Sequence, residues 1–208
     1  MSTYVFIDAS NLFYGGEKSL GWKIDYQKLY NYLGKKYEAV KVFYFGGIET
    51  HSFLFNYLEN ETVSLTRLET YLRELLRVEG SSLNEAELLL IGRHMKRLNF
   101  YQKLEHFGYT LILKPVKLYA QEDGSTKRKA NCDVDMAFYL MKEKENFDTA
   151  VILSGDGDFL PVLKYLKTEG KHLTVLARSP RTAKEIKQFA GSDFRDFAYL
   201  REQIRRSK

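Results

Sequence analysis

The chain contains few thiols and no long apolar segment. Its 208 residues include one cysteine, Cys132, so no internal disulfide can form, and this usage is typical of a reducing compartment. No apolar run approaches the ~20 residues that a membrane-spanning helix needs. The N-terminal residues lack the basic start and apolar core of a signal peptide. We therefore expect a cytoplasmic protein that does not span a membrane.

The motifs of several enzyme classes are also missing. The four histidines do not pair at zinc-ligand spacing, and no GxxxxGK[ST] or GxSxG sequence occurs. The glycines at 155 and 157 lack the third glycine of a dinucleotide-binding fingerprint. A phosphatase with an aspartyl nucleophile would need a second aspartate two residues after Asp8, where this chain has Ser10. These absences argue against zinc, P-loop, nucleophile-elbow and dinucleotide sites.

The composition indicates a folded protein with a modest positive charge. Hydrophobic residues make up 44% of the chain and aromatic residues 14%, which is enough apolar surface for a substantial core. The formal net charge is +5. A polyanionic partner is compatible with this charge, but the excess is too small to identify one.

Short β-prone runs alternate with helical patterns along most of the chain. Strands are predicted at residues 4–7, 40–45, 109–119, 150–153 and 173–177, and helices at 26–37, 132–145, 159–168 and 182–189. This alternation predicts an α/β fold whose parallel sheet is covered on both faces. Two further helices, at 64–78 and from 82 to about 107, suggest a helical-hairpin insertion at about 49–99. We predict one domain over residues 1–208.

Carboxylates follow three of the predicted segments. Asp8 ends the first strand, Asp156 and Asp158 follow the strand at 150–153, and Asp133 and Asp135 begin a helix. Because the carboxyl ends of parallel strands share one edge of the sheet, these acids can meet there. Carboxylates held close together repel unless a cation is present, and Mg²⁺ prefers such oxygen ligands. Each acid taken alone is equally compatible with a turn residue or a helix N-cap.

Three motifs together resemble a known family. Residues 6–12, FIDASNL, resemble the opening IDGxN motif of NYN domains, a branch of the PIN-like ribonucleases that includes the LabA-like proteins. Residues 127–135, KRKANCDVD, resemble the basic stretch and KGxDV motif of that family. Residues 154–161, SGDGDFLP, resemble its SGDGDF-x-P signature, and residues 190–197 resemble its ADxF tail. The order and spacing of these motifs make the resemblance specific.

The resemblance implies a PIN-like three-layer α/β/α sandwich with a mainly parallel central sheet, to which this chain adds the predicted helical insertion. It also implies an endoribonuclease, a hydrolase that cleaves RNA with Mg²⁺ or Mn²⁺. The catalytic residues implied are Asp8, Asn11, Asp133, Ser154, Asp156 and Asp158. The implied metal ligands are Asp8, Asp133, Asp156 and Asp158. Asp135 is a further candidate ligand, and Asp158 or Asp135 could reach the metal only through water.

Other residues are candidates for contacts with nucleic acid. Lys127, Arg128 and Lys129, and more weakly Arg178, could hold the phosphate backbone of RNA. Tyr14 and Trp22 could stack on unpaired bases, although core positions are the commoner fate of such residues. The C-terminal basic residues Arg201, Arg205, Arg206 and Lys208 could contact nucleic acid, but a frayed, solvated tail is favoured.

Alternative functions remain open from the sequence. One is a catalytically weak RNA-binding regulatory module, and another is a structure-specific DNA nuclease, because a metal site does not distinguish the two sugars. The helical insertion could pack on the core, form a homodimer interface or cover the site as a lid.

Overall fold

The computed structural model describes residues 1–80, 82–120 and 126–207. The chain separates into two compact units. The first unit comprises Met1–Phe45, Phe107–Thr110 and Asp133–Lys208, and the second comprises Gly46–His106 and Leu111–Cys132. All of the aspartates singled out above belong to the first unit.

The described residues contain eight strands, which lie in two sheets. The strands are β1 (Thr3–Asp8), β2 (Ala39–Ile48), β3 (Thr110–Pro115), β4 (Lys117–Ala120), β5 (Thr126–Lys129), β6 (Thr149–Leu153), β7 (His172–Ala177) and β8 (Phe194–Asp196). Six of them form a sheet in the order β3-β2-β1-β6-β7-β8, and β4 pairs with β5 in an antiparallel ribbon. The central strand β1 is parallel to both β2 and β6, and β7 is parallel to β6 and to β8.

The helices connect these strands. They are α1 (Ala9–Asn11), α2 (Tyr26–Tyr37), α3 (Leu65–Glu79), α4 (Glu85–His106), α5 (Asp133–Lys142), α6 (Leu160–Thr168), α7 (Lys184–Ala190) and α8 (Arg201–Ile204). A π-helical segment, Leu12–Lys18, continues directly from α1. No helix in the described part of the chain is long and apolar enough to cross a membrane.

The aromatic side chains of β2 show how the sheet of the first unit is covered. Because side chains alternate between the faces of a strand, Phe43 and Phe45 share one face and Tyr44 points to the other. The rings of Phe43 and Phe45 contact Tyr139 of α5, whereas the ring of Tyr44 contacts Tyr26 of α2. Helices therefore lie on both faces, which confirms the predicted three-layer α/β/α arrangement.

Burial on both faces explains the sequence of the central strands. Val5, Phe6 and Ile7 of β1 are fully buried, and so are Val151 and Ile152 of β6. Parallel strands buried on both sides are continuous apolar runs rather than alternating ones. A run of this kind excludes charged residues until the strand ends, so the first aspartate of β1 falls at its carboxyl end.

The strand β2 is longer than its sequence predicts. The two glycines at 46 and 47 were expected to close it, but the strand continues to Ile48. A Cβ atom on Gly47 would lie 2.6 Å from the Cβ of Ala130, so the glycine permits close packing rather than a turn. The Tyr101 hydroxyl donates a hydrogen bond to the Gly47 carbonyl at 2.7 Å. Burial raises the pKa of Tyr101 to about 12, so this hydroxyl stays a donor even at a pH of about 10, where an exposed tyrosine ionises.

The second unit contains the two predicted long helices. Ser64 caps α3 by accepting a hydrogen bond from Arg67 N. The cap of α4 is a reciprocal pair, in which Asn84 Oδ1 accepts from Glu87 N while Glu87 Oε2 accepts from Asn84 N. This capping box begins at Asn84, two residues after the predicted start of the helix at residue 82. That these helices form an insertion in a single domain stays a prediction.

One further strand was not predicted: the edge strand β8 has three residues, too few to show an alternation of apolar and polar side chains. The dipeptide Asp123-Gly124 is typical of a turn, and it lies outside the described residues.

Candidate functional site

Asp8 is a buried acid fixed at the carboxyl end of the central strand. Its relative exposure is 6%, and it is the N-cap of α1. The Oδ1 atom accepts hydrogen bonds from Ser10 N at 2.9 Å, from Ser10 Oγ at 2.8 Å and from Asn11 N at 3.1 Å. The local turn after β1 thus orients one oxygen of the carboxylate and leaves the other, Oδ2, facing away from it.

Ser154 links Asp8 to the next strand. Residue Ile7 is paired in register with Leu153, so the residues that follow them, Asp8 and Ser154, leave the sheet side by side. The Ser154 Oγ donates to Asp8 Oδ2 at 3.1 Å and accepts from Asp156 N at 3.3 Å. Two hydrogen bonds therefore connect the Asp8 carboxylate with the backbone of Asp156. We call these three residues the acidic corner.

The two aspartates in the turn after β6 differ in their exposure to solvent. Asp156 is half-buried and caps the following helical turn, since its Oδ1 accepts from Asp158 N at 3.0 Å. Asp158 is exposed. The N-cap role that the sequence left open is therefore real for Asp8 and for Asp156, and it occupies only one oxygen of each carboxylate.

The glycines of this turn allow close packing against the segment before α7. A Cβ atom on Gly155 would lie 2.6 Å from Thr182 Oγ1 and 2.9 Å from Thr182 Cα. A Cβ atom on Gly157 would overlap the Glu185 carboxylate. The Gly155 carbonyl also accepts a hydrogen bond from Ala183 N at 2.9 Å. The turn is thus held from two sides, by β1 and by residues 182–185.

Asp133 and Asp135 lie in the first turn of α5, and both are half-buried. This helix packs on β1, and its last turn leads to the amino end of β6. Its first turn consequently lies toward the carboxyl edge of the sheet, where the acidic corner is. That Asp133, Asp135 and Asp158 share one site with Asp8 and Asp156 stays a prediction.

The oxygens of the acidic corner suit a hard divalent cation. Each carboxylate oxygen offers about two acceptor sites. Three donors share those of Asp8 Oδ1, whereas Oδ2 accepts one hydrogen bond and keeps one site. Among the described residues, no three His, Cys, Asp or Glu side chains are close enough together to hold a metal ion. Mg²⁺ usually keeps several waters and takes one or two carboxylates. The corner fits that arrangement, and the wider ligand set stays a prediction.

Asn11 and Arg178 lie beside the same edge. The buried backbone of Gly15 runs between them, because a Cβ there would be 3.3 Å from Asn11 Oδ1 and 3.9 Å from Arg178 Cβ. The Arg178 guanidinium is paired with Asp196 at 2.8 Å. Its Nε is buried and has no hydrogen-bond partner among the described residues. Arg178 is therefore a partly neutralised cation, and its contact with RNA stays a prediction.

Sequence reasoning missed one aromatic residue near the corner. Phe13 and Tyr14, both on Leu12–Lys18, are 39% and 56% exposed, and their rings meet edge to face at 5.1 Å between centroids. The Lys18 amine lies 5.4 Å from the Phe13 ring and 5.0 Å from the Tyr14 ring. Only the ring of Tyr14 had been singled out, together with Trp22, which is half-buried. The signal for Phe13 was its position two residues after Asn11.

The predicted basic residues Lys127, Arg128 and Lys129 form most of β5, paired with β4. Their side chains lie outside the described part of the structure. Their proposed contact with phosphate therefore stays a prediction.

Comparison with known proteins identifies a family and a protein to which this chain is similar. A family model of the NYN domain matches residues 70–197, a span that contains Asp133, Ser154, Asp156 and Asp158 but not Asp8. The low amplitude and bright protein LabA of Synechococcus elongatus is 22% identical over 187 residues, which cover 88% of this chain and 77% of LabA.

Solved structures with similar folds were also found. Protein VPA0982 of Vibrio parahaemolyticus, described as of unknown function, superposes with a TM-score of 0.55 at 18% identity, over 90% of this chain and 87% of that one. The D15 protein of bacteriophage T5, crystallised with metal ions, gives a TM-score of 0.43 at 18% identity, over 90% of this chain and 59% of D15.

Proposed function

We propose, from the premise that this chain belongs to the NYN domain family, that it is a metal-dependent endoribonuclease. It would hydrolyse phosphodiester bonds of RNA at the acidic corner with Mg²⁺ or Mn²⁺. The observation that carries this proposal is the hydrogen-bonded link from Asp8 through Ser154 to Asp156. Asp8 and Ser154, 146 positions apart in the chain, meet there, and the Oδ2 atoms of Asp8 and Asp156 keep acceptor capacity.

The roles of the residues follow from their hydrogen bonds. Asp8 is the fixed ligand, because its Oδ1 is held by the α1 turn and its Oδ2 points toward Ser154. Asp156 is the second ligand, and Asp133, Asp135 and Asp158 would act through water. When bound, the divalent ion would lower the pKa of a coordinated water and neutralise charge on the phosphate. Ser154 keeps the Asp8 carboxylate in one orientation throughout.

Polar and basic residues near the corner would hold the substrate. Asn11 is the residue best placed to donate to a non-bridging phosphate oxygen, and Arg178 would add positive charge beside it. The sequence-based candidates Lys127, Arg128 and Lys129 would contact phosphates farther along the strand. Such contacts position RNA without reading its sequence.

The exposed rings of Phe13 and Tyr14 favour a substrate with unpaired bases. They begin two residues after Asn11, and base–aromatic stacking contributes about 1–3 kcal/mol per base. Bases stacked within a duplex cannot use these rings. We therefore propose single-stranded RNA, or the loops of structured RNA, as the substrate class.

The proposal includes a cytoplasmic location and a homodimer through the helical hairpin α3–α4. The single cysteine supports the reducing compartment. The hairpin exposes Val78, Leu88 and Leu89, which an interface would cover. Light scattering on the purified chain tests the dimer, and a monomer at micromolar concentration would contradict it.

The enzyme proposal is tested by single-turnover cleavage of labelled RNA with Mg²⁺, with Mn²⁺ and with EDTA. We expect Asp8→Asn and Asp156→Asn to slow cleavage by on the order of a thousandfold, since about 4 kcal/mol of barrier corresponds to that factor. The matched control is Asp148→Asn. Asp148 lies just before β6, at the opposite edge of the sheet, and its carboxylate accepts from Ser2 N.

Cleavage that is unchanged in both corner variants would contradict the assigned roles. Salt-dependent RNA binding by wild type with no cleavage in either metal would identify an RNA-binding module instead. Cleavage of a matched DNA and not of RNA would indicate a DNA nuclease.

A further inference from the structure

The C-terminal residues are tied to the body of the first unit and do not form the frayed tail that their sequence suggests. Ile204 is fully buried, and its carbonyl accepts a hydrogen bond from Asp25 N at 2.8 Å. Arg206 N donates to the Lys23 carbonyl at 2.9 Å, and Arg205 forms a bridge with Ile24. The chain end is therefore fixed beside the start of α2.

This attachment creates a basic cavity. Its volume is about 220 Å³, and it is lined by Lys28, Arg201, Glu202, Arg205, Arg206 and Ser207. Four cationic side chains thus surround one carboxylate. We call this cavity the C-terminal basic pocket. Its polar lining and excess of positive charge suit an anion that carries several acceptor oxygens.

The cations of the pocket are not neutralised by neighbouring acids. Within residues 1–80, 82–120 and 126–207, the ion pairs involve none of Arg201, Arg205 and Arg206. Lys28 Nζ donates to the Arg205 carbonyl and to Ser207 Oγ, both at 3.1 Å, which fixes its amine in the wall of the pocket. Gathering like charges raises the free energy of the empty pocket, and an anion relieves that repulsion.

The pocket lies toward the same edge of the sheet as the acidic corner. The helix α2 ends two residues before β2 begins, so its last turn is near the amino edge. Its first turn, which carries Lys28, is consequently near the carboxyl edge.

The segment Leu12–Lys18 connects the acidic corner with the C-terminal basic pocket. Its Gly16 approaches Ile24, since a Cβ there would be 3.6 Å from Ile24 Cδ1, and Glu17 Oε1 accepts from Ile24 N at 2.9 Å. Ile24 in turn forms the bridge with Arg205. The exposed rings of Phe13 and Tyr14 thus lie on a continuous stretch of chain between Asp8 and the pocket.

We propose that the C-terminal basic pocket binds a backbone phosphate of the same RNA strand whose scissile phosphate lies at the acidic corner. The inference rests on the proposed function for the identity of the strand. The strand would run from Asp8 past the two aromatic rings to Arg201 and Arg206. The pocket is thus a second anchor, which adds affinity without taking part in the reaction.

The test is RNA binding by fluorescence anisotropy, in EDTA, across a series of salt concentrations. The variant Arg201→Gln/Arg206→Gln removes two exposed charges from the pocket. The matched control, Lys35→Gln/Lys36→Gln, removes two exposed charges from the other end of α2. A parallel titration with inorganic phosphate tests for a free anion as the ligand, and thermal unfolding checks that each variant is folded.

We expect the pocket variant to bind single-stranded RNA about tenfold more weakly, with a salt slope smaller by about 0.7, because one phosphate of a single strand that is no longer neutralised lowers the slope by that amount. The control should change neither. Equal losses in the two variants, or no loss in the pocket variant, would overturn the proposal. Loss of phosphate binding with unchanged RNA affinity would overturn it in favour of a free anion.

The two proposals fail separately. Because binding is measured without a divalent metal, a chain that binds RNA through the pocket and never cleaves it would contradict only the nuclease. A chain that cleaves RNA with the pocket variant unchanged would contradict only the pocket.

Discussion

The acidic corner and the C-terminal basic pocket lie toward the same edge of the sheet and are built in opposite ways. At the corner, Asp8 is buried and its carboxylate accepts four hydrogen bonds. In the pocket, Arg201 and Arg206 are exposed, and no ion pair holds them within the described residues. Hydrogen bonds fix the Asp8 carboxylate at the corner, whereas the pocket gathers positive side chains that no ion pair in the described part of the chain holds in place.

This difference predicts different consequences for the two regions. A displaced carboxylate in a preorganised site changes the reaction rate, because its orientation matters within fractions of an ångström. Removal of a surface cation changes affinity and its dependence on salt, because screening weakens exposed charges. Substitutions at the corner should therefore change the rate of cleavage, and substitutions in the pocket should change the affinity for RNA.

The largest effect among the supporting residues is expected at Ser154. The variant Ser154→Ala removes the hydroxyl between Asp8 and Asp156, and a hydrogen bond to a charged group contributes about 1.5–3 kcal/mol. We expect single-turnover cleavage to slow by roughly 10- to 100-fold, with RNA affinity and salt slope unchanged. The control is Ser179→Ala. A fall in affinity with an unchanged rate would place Ser154 outside the corner's chemistry.

The next effect concerns the packing of the corner. Gly155→Ala forces the new methyl group against the backbone of Thr182, and such overpacking costs about 1–3 kcal/mol. Gly157→Ala meets the flexible end of Glu185 and the Cβ of Ala183 at 3.3 Å, but no backbone atom, and should cost less. Urea denaturation of both variants measures the free energy of unfolding. Equal destabilisation would show that the contact with Thr182 does not hold the turn.

A smaller effect is expected at the aromatic pair. Tyr14→Ala should weaken binding of single-stranded RNA by about 1 kcal/mol or somewhat more, because one base can no longer stack on this ring. Affinity for a fully paired duplex should not change. Tyr199→Ala is a suitable control, since this tyrosine is 84% exposed. Equal losses for single strand and duplex would rule out stacking.

The sequence predicts the first unit well and the pocket poorly. Asp8, Asp156 and the strands before them are readable because buried parallel strands are continuous apolar runs that end at polar residues. The pocket depends on Asp25 N bonding to the Ile204 carbonyl, a contact between backbone atoms 179 residues apart that no local pattern encodes. For the same reason Arg205 and Arg206 read as a loose tail.

The end of β2 and the presence of β8 could not be predicted from the local sequence either. Gly46 and Gly47 have the composition of a turn, yet Gly47 continues β2 because Ala130 leaves no room for a side chain there. The strand β8 is paired through its backbone with β7, and three residues are too few to show a period of two. In both cases tertiary contacts decide the structure.

The central claim is that Asp8 and Asp156 hold a divalent metal, and direct measurement of Mn²⁺ binding tests it without relying on activity. Electron paramagnetic resonance of free Mn²⁺, titrated with wild type, Asp8→Asn and Asp148→Asn, would give the three affinities. We predict that Asp8→Asn binds Mn²⁺ at least about tenfold more weakly, whereas Asp148→Asn matches wild type. Equal Mn²⁺ affinity in all three proteins would contradict the account.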